Sequence, residues 1–332
     1  MAGRIRPILT SGAFRAFVFW IVLMLIWNFK QLNGLQFKDL NSYALLTLPL
    51  ITAAIGVMLV IVMGQFDLSA MGVISLINVL MATVMTDWNP IITFVVVVGL
   101  GALVGLINGV LVVRGKLPAI AVTLATLIIL QGLALVLLPQ PAGKVNPVFV
   151  DVLKAPFVPI GIIVLLAVAW LVFKRTRMGL YMFALGGDAE ALHLSGLPVA
   201  RIRLKIFVLA GALYGLAGVF ESGLTGGGDA NIAKAFLLAT FAAVAIGGTA
   251  FVGGTGSAIG TIFGALILEA IRKVLGQFQV SDWSQKMATG LIILLAVVAG
   301  AVSALRKSRA EALSARYTAP VEHVSSPGTE KL

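Results

Sequence analysis

The chain of 332 residues has no cysteine and two histidines, and Asp, Glu, Lys and Arg together make up 11% of it. Without a thiol there is no disulfide, no thiolate metal site and no cysteine nucleophile. His193 and His323 form no His-Glu-x-x-His pair for zinc, and no Gly-x-Ser-x-Gly turn presents a serine nucleophile. The nearest approach to a phosphate loop, Gly109 to Gly115-Lys116, has the wrong glycine spacing, and Leu117 stands where a hydroxyl is needed. Gly254 to Gly260 likewise misses the dinucleotide-loop spacing. No enzyme is indicated, and no bound cofactor or metal is expected. Charge is too sparse to cover a soluble globule, where roughly a quarter of residues are charged.

What fills the chain instead is hydrocarbon: 60% of residues are hydrophobic and the mean hydropathy is +1.06. The expected class is an all-α, polytopic integral membrane protein. The net charge of +11 could suit nucleic acid, but cations on such a chain flank its spans, so it is read as topology, with the bilayer and not nucleic acid as the partner.

A bilayer core of about 30 Å needs roughly 20 helical residues, so the distance between charges measures the spans. Charge-free stretches run 16–29, 40–66, 68–86, 88–113, 117–143, 155–173, 206–220, 235–268 and 287–305. The first could be a signal peptide, but no small-residue cleavage site follows it, and it is kept as a helix. The eighth is too long for one span and breaks at Gly247, Gly248, Gly253, Gly254 and Gly256, its second helix running on to about Gly276. About ten transmembrane helices are predicted. With both termini cytoplasmic, sixteen of the 24 cations fall on the inner side, as the positive-inside rule asks. Residues 1–305 form one transmembrane permease-like domain, and 306–332 read as a disordered cytoplasmic tail. The loop 139–156 is too proline-rich for a long helix.

Glycines recur every fourth residue at Gly101, Gly105 and Gly109, at Gly211 and Gly215, and at Gly256, Gly260 and Gly264. In lipid, such small-residue faces let backbones approach closely, within one subunit or between two. Polar groups inside spans are expensive and become functional candidates: Asp67, Asn108, Thr123, Thr126 and Gln131, which would line or shape a path. Asp67, followed by Ser69, suits a helix N-terminus. Asn108 could instead bond across a tight helix pair. Glu221 reads as a residue near a helix end that reaches water, and Glu269 as an ion-pair partner for Arg272 or Lys273.

No energy source is visible in these residues, so uphill transport would require another chain and a surface to dock it. The segment 174–205 supplies one. Asp188 can cap a short helix over 189–194, which Gly196 ends and Pro198 keeps from resuming. Gly187, Asp188, Glu190, Ala191, Ser195 and Gly196 would then belong to a rigid knob between two spans, or to a plain connecting loop.

At these residues the sequence resembles a family: the membrane permease subunits of bacterial ABC importers for monosaccharides, of the ribose and arabinose type. The resemblance rests on Gly64-Gln65-Phe66-Asp67-Leu68-Ser69, on Gly105 to Gly109 followed by Leu117 to Thr126, on Arg177-Met178-Gly179 with Ala184 to Asp188 and Leu194-Ser195-Gly196, and on Ala245 to Thr249 with Gly253 to Gly256. They stand in the family's order over residues 45–303. Met63 and Ala70-Met71 depart from its first motif. The resemblance implies a permease of the bacterial inner membrane that pairs with a second permease copy or paralogue. A periplasmic sugar-binding protein would load it, and a separate tandem ABC ATPase subunit, which binds the ATP, would drive it through 174–205 as the coupling loop. Other small solutes, an ion-coupled secondary transporter and a passive channel remain open alternatives.

Overall fold

The computed structural model describes residues 12–31 and 34–279, together with isolated positions between 281 and 294. Twelve α-helices follow one another there: α1 Gly12–Lys30, α2 Phe37–Val62, α3 Ala70–Thr83, α4 Pro90–Val113, α5 Ala119–Leu137, α6 Pro147–Lys154, α7 Val158–Phe173, α8 Arg177–Gly187, α9 Ala189–Leu194, α10 Val199–Thr225, α11 Phe236–Ile246 and α12 Ala258–Gln277. A 3₁₀ turn, Ile232–Ala235, precedes α11. Among the described residues there is no strand, only an isolated antiparallel bridge between Ala142 and Gly228.

The caps explain several boundaries. Asn89 accepts from the amides of Ile91 and Ile92 ahead of Pro90, which fits the first helical position because its missing N–H has no partner there anyway. Gly226 ends α10 at φ 69°, a conformation that costs glycine least. α2 is the axis of the fold: 94% of its most apolar stretch is buried inside the chain. α10, α11, α12 and α7 pack around it, while α4 packs on α10, α5 on α3 and α1 on α12. Trp20 of α1 donates to the Tyr43 hydroxyl of α2 at 3.0 Å, and that hydroxyl donates to the Leu266 carbonyl of α12, so three helices share one polar tie.

The glycine repeats pack within the chain. A Cβ at Gly101 would collide with the Gly211 carbonyl, and one at Gly105 with the Phe207 carbonyl, so α4 and α10 touch backbone to backbone. Gly260 and Gly264 of α12 meet Gly247 and Ala243 at the end of α11 in the same way. This is van der Waals contact where lipid offers little hydrophobic gain.

Helices occupy nine of the expected spans, and most of the tenth, 287–305, lies outside the described residues, as does the expected tail. Among the described residues five helices are long and apolar enough to cross a membrane alone: Gly12–Phe29, Phe37–Val62, Pro90–Val113, Ala119–Leu137 and Val199–Thr225. α6 and α7 add a sixth if their 81° bend counts as one span. The chain is a multi-pass membrane protein. α3 and α11 differ from the expectation of full spans. With 14 residues, α3 covers about 21 Å at about 1.5 Å per residue. Its ends are tolerable at membrane depth because most of its residues are buried against the rest of the chain rather than against lipid.

Two further expectations need correction. Residues 174–205 are no loop: α8, α9 and the first turns of α10 fill them. Pro198 does not keep the helix from resuming. It is the N-cap of α10, where an absent N–H costs nothing, and helix restarts at Val199.

Candidate functional site

α9 has the geometry of a small rigid protrusion. Asp188 Oδ1 accepts from the amides of Glu190 at 3.0 Å and Ala191 at 2.9 Å. The Ser195 hydroxyl donates to the Ala191 carbonyl at 2.8 Å, and Gly196 leaves the helix at φ 76°. Gly187, Asp188, Glu190, Ala191, Ser195 and Gly196 are all exposed, whereas Leu192 is buried and anchors the underside. Leu194 stands 80% exposed at the tip. A short helix that projects an apolar residue, with its own amides already satisfied, can press on a partner without unravelling.

Behind the protrusion three distant loops meet through glycine. The Gly254 amide donates to the Val62 carbonyl at the end of α2, at 2.8 Å. Gly186 of α8 lies over the same carbonyl, and a Cβ there would strike both Val62 O and Gly254 N. A Cβ at Gly253 would stand 2.8 Å from the Gly186 carbonyl and 3.0 Å from Gly64 Cα, and one at Gly254 3.1 Å from Gly187 Cα. Gly64, Gly253 and Gly254 have φ of 78°, 95° and 74°. The turn after α2, the α8–α9 elbow and the α11–α12 connection therefore form one seam of bare backbone. Gly248, at φ 82°, packs against Gly12 at the start of α1, and Gly256 against Val62 and Thr249. All five glycines expected at a break between helices lie between α11 and α12, and two of them, Gly253 and Gly254, touch the elbow.

Four of the five polar intramembrane candidates are likewise brought together. Thr126 donates to Asn108 Oδ1 at 2.6 Å, Asn108 Nδ2 to Ser69 Oγ at 3.1 Å, and the Ser69 hydroxyl to Asp67 Oδ1 at 2.6 Å. The same carboxylate oxygen accepts the Ser69 amide at 2.8 Å. Thr123 Oγ1 accepts from the Leu68 amide at 3.1 Å. Asp67 thus holds Ser69, itself the N-cap of α3, rather than capping the helix directly. Its Oδ2 and the Tyr214 hydroxyl are both buried without a hydrogen-bond partner among the described residues. Asp67, Asn108 and Thr123 are fully buried, so here they fasten α3, α4 and α5 to one another. Gln131 lies apart from this chain, its amide donating to the Ala230 carbonyl at 2.5 Å.

Sequence reasoning passed over Val62, Gly64 and Gly186 as site residues. The local signals were Gly64, which opens the Gly64–Ser69 motif, and Gly186, first member of the Gly186-Gly187 pair. Glu269 does pair with Arg272, at 3.5 Å, and Glu221, although only 7% exposed, lines a cavity that opens to the outside of the chain. Residues of α2, α11 and α12 share that lining with it, which its position near a helix end did not reveal.

Comparison with known proteins matches residues 40–297 to the family described as branched-chain amino acid transport system / permease component. The ribose import permease protein RbsC of Haemophilus influenzae is 33% identical over 301 residues, 86% of this chain and 92% of that protein. The L-arabinose ABC transporter permease protein AraH of Azospirillum brasilense is 32% identical, covering 76% and 77%. The galactose/methyl galactoside import permease protein MglC of Escherichia coli is 28% identical, covering 88% and 94%. No solved structure matches the chain.

Proposed function

The chain belongs to the family of branched-chain amino acid transport system permease components, and from that premise we propose that it is the non-catalytic membrane subunit of an ATP-binding-cassette importer for a monosaccharide or polyol. Its relatives named for ribose, arabinose and galactose support a sugar over an amino acid as cargo. In this reading the full subunit crosses the bacterial inner membrane about ten times with both termini in the cytoplasm. It pairs with a second permease copy or paralogue and receives cargo from a periplasmic sugar-binding protein. ATP is bound and hydrolysed by a separate tandem ABC ATPase, and the permease needs no cofactor of its own.

The observation that carries this reading is the seam behind α9. ATPase motion applied to Gly187, Asp188, Glu190, Ala191, Ser195 and Gly196 would pass through Gly186 to Val62 and Gly254. It would thereby reach the end of α2 and the glycine break at Gly247, Gly248, Gly253, Gly254 and Gly256, which acts as the hinge. Packed backbone transmits displacement because it has no side chain to absorb it. The chain of Asp67, Asn108, Thr123 and Thr126, with Gln131, shapes the translocation path by fixing the helices beside it.

Glu190→Lys and Gly196→Trp are expected to abolish sugar uptake in cells that supply the ATPase and binding protein, while membrane insertion stays at the wild-type level. Undiminished uptake with both changes overturns the docking role. The permease alone in liposomes is expected to sit inert. Unaided concentration of sugar there would overturn the importer reading in favour of a secondary transporter, and unaided passive flux would favour a channel.

A further inference from the structure

A cavity of about 240 Å³ opens between α2, α10, α11 and α12, lined by Glu221, Glu269, Arg272, Phe236, Leu46 and Leu50 among others. Glu221 lies 22 residues along α10 from its first residue, about 33 Å from the α9 end at about 1.5 Å per residue. The cavity is therefore remote from the glycine seam. Glu221 is 7% exposed, and among the described residues no hydrogen bond or ion pair reaches its carboxylate. Its carboxylate faces the cavity, where a ligand's hydrogen-bond donor can reach it. Across the cavity Glu269 is 8% exposed and holds Arg272 Nε at 3.5 Å, with the Arg272 side chain 48% exposed.

We propose that this cavity is a binding site for a single neutral, polyhydroxylated ring, with Glu221 and Glu269 accepting from its hydroxyls, Arg272 donating to them and Phe236 packing on a C–H face. The chemistry of the lining selects that class. A simple cation meets the Arg272 guanidinium, and an anion meets two carboxylates. A hydroxyl both donates and accepts, so the hydroxyls of one polyol can meet both carboxylates and the guanidinium at once. The volume falls just below the range of about 300–1,000 Å³ typical for drug-sized ligands, a scale that suits one sugar ring. The half-exposed Arg272 leaves an entry side. The inference rests on the sugar-importer reading and adds to it a place within one subunit where cargo pauses.

The test is equilibrium binding of tritiated D-ribose, L-arabinose and D-galactose to the full-length chain in lipid nanodiscs, for the wild type, Glu221→Gln and Glu221→Leu. Saturable binding of at least one sugar is expected, weakened tenfold or more by Glu221→Leu and less by Glu221→Gln. Glu221→Gln keeps the shape and one acceptor, so the comparison stands even if Glu221→Leu fails to insert, because any weakening must then appear in Glu221→Gln alone. Binding unchanged by both variants, or absent from the wild type, overturns the site. So does displacement of the sugar by sodium or methylammonium, which marks a cation site. Uptake in cells separates the two claims. If the wild type imports a sugar while nanodisc binding ignores Glu221, only the cavity proposal falls; if it imports none with its partners present, the importer reading falls with it.

Discussion

The backbone amide of Gly254 donates to the carbonyl oxygen of Val62 at 2.8 Å, and Gly186 is pressed against that same carbonyl. One peptide group at the end of the central helix is thereby shared by the α8–α9 elbow and the α11–α12 connection. Movement of either connection has to displace it or break the bond.

Gly186 and its neighbour Gly187 should respond very differently to one methyl group. A Cβ at Gly186 meets backbone atoms that cannot rotate away, while one at Gly187 meets nothing within 4 Å. Overpacking costs about 1–3 kcal/mol. Gly186→Ala is expected to lower the thermal midpoint of the purified protein and to cut uptake tenfold or more, whereas Gly187→Ala stays near wild type in both measurements. Equal behaviour of the two variants would show that the elbow is not clamped.

Asp188 Oδ1 accepts both capped amides of the first turn of α9, a helix of six residues that cannot persist without its cap. Asp188→Ala should cost about 1 kcal/mol, confined to α9, so the thermal midpoint of the whole protein barely moves. Stimulation of the partner ATPase by the permease, measured in proteoliposomes, is expected to collapse. Asp188→Ser, which keeps a capping oxygen, should restore most of it. A charge contact with the ATPase, by contrast, would not tolerate serine.

How much of this was legible in the sequence depended on range. The α9 cap is local: Asp188, four helix-forming neighbours and Gly196 lie within ten residues, and the sequence reading matches the structure there. α8 was missed because Gly179, Gly186 and Gly187 weaken its helical signal, although Thr176 caps it by accepting from the Gly179 amide at 3.2 Å. Charge spacing predicted a full span at 68–86, but the distance between charges gives only an upper bound on helix length, and α3 starts after Ser69 and stops at Thr83. The contact among Gly64, Gly186 and Gly253, and the burial of Glu221, depend on packing between segments far apart in the chain. No local pattern encodes either.

The glycine repeat of α4 offers a test with an internal control. Gly105 and Gly99 share that helix, yet a Cβ at Gly105 collides with the Phe207 carbonyl and one at Gly99 meets nothing within 4 Å. Gly105→Ala is expected to destabilise by about 1–3 kcal/mol, whereas Gly99→Ala should be neutral or stabilising by up to about 1 kcal/mol through helix propensity. Thermal unfolding in nanodiscs distinguishes them. If both were neutral, α4 would not be seated against α10 as the structure places it.

The polar chain beneath α3 has a direction, and the direction ranks its members. Each hydroxyl or amide donates toward Asp67, from Thr126 through Asn108 and Ser69. Thr126→Val removes the hydroxyl that Asn108 Oδ1 accepts from, which leaves a single oxygen without its donor. Asp67→Ala strands both the amide and the hydroxyl of Ser69 in a site closed to water, at about 1–3 kcal/mol for each group. Asp67→Asn keeps an accepting oxygen for the amide and the hydroxyl of Ser69. The expected order of destabilisation is Asp67→Ala, then Asn108→Ala, then Thr126→Val, with Asp67→Asn close to wild type. Thermal midpoints of the four purified variants check it. If Thr126→Val proved as damaging as Asp67→Ala, the chain would not end at the carboxylate, and Asp67 would not be the group that holds the start of α3.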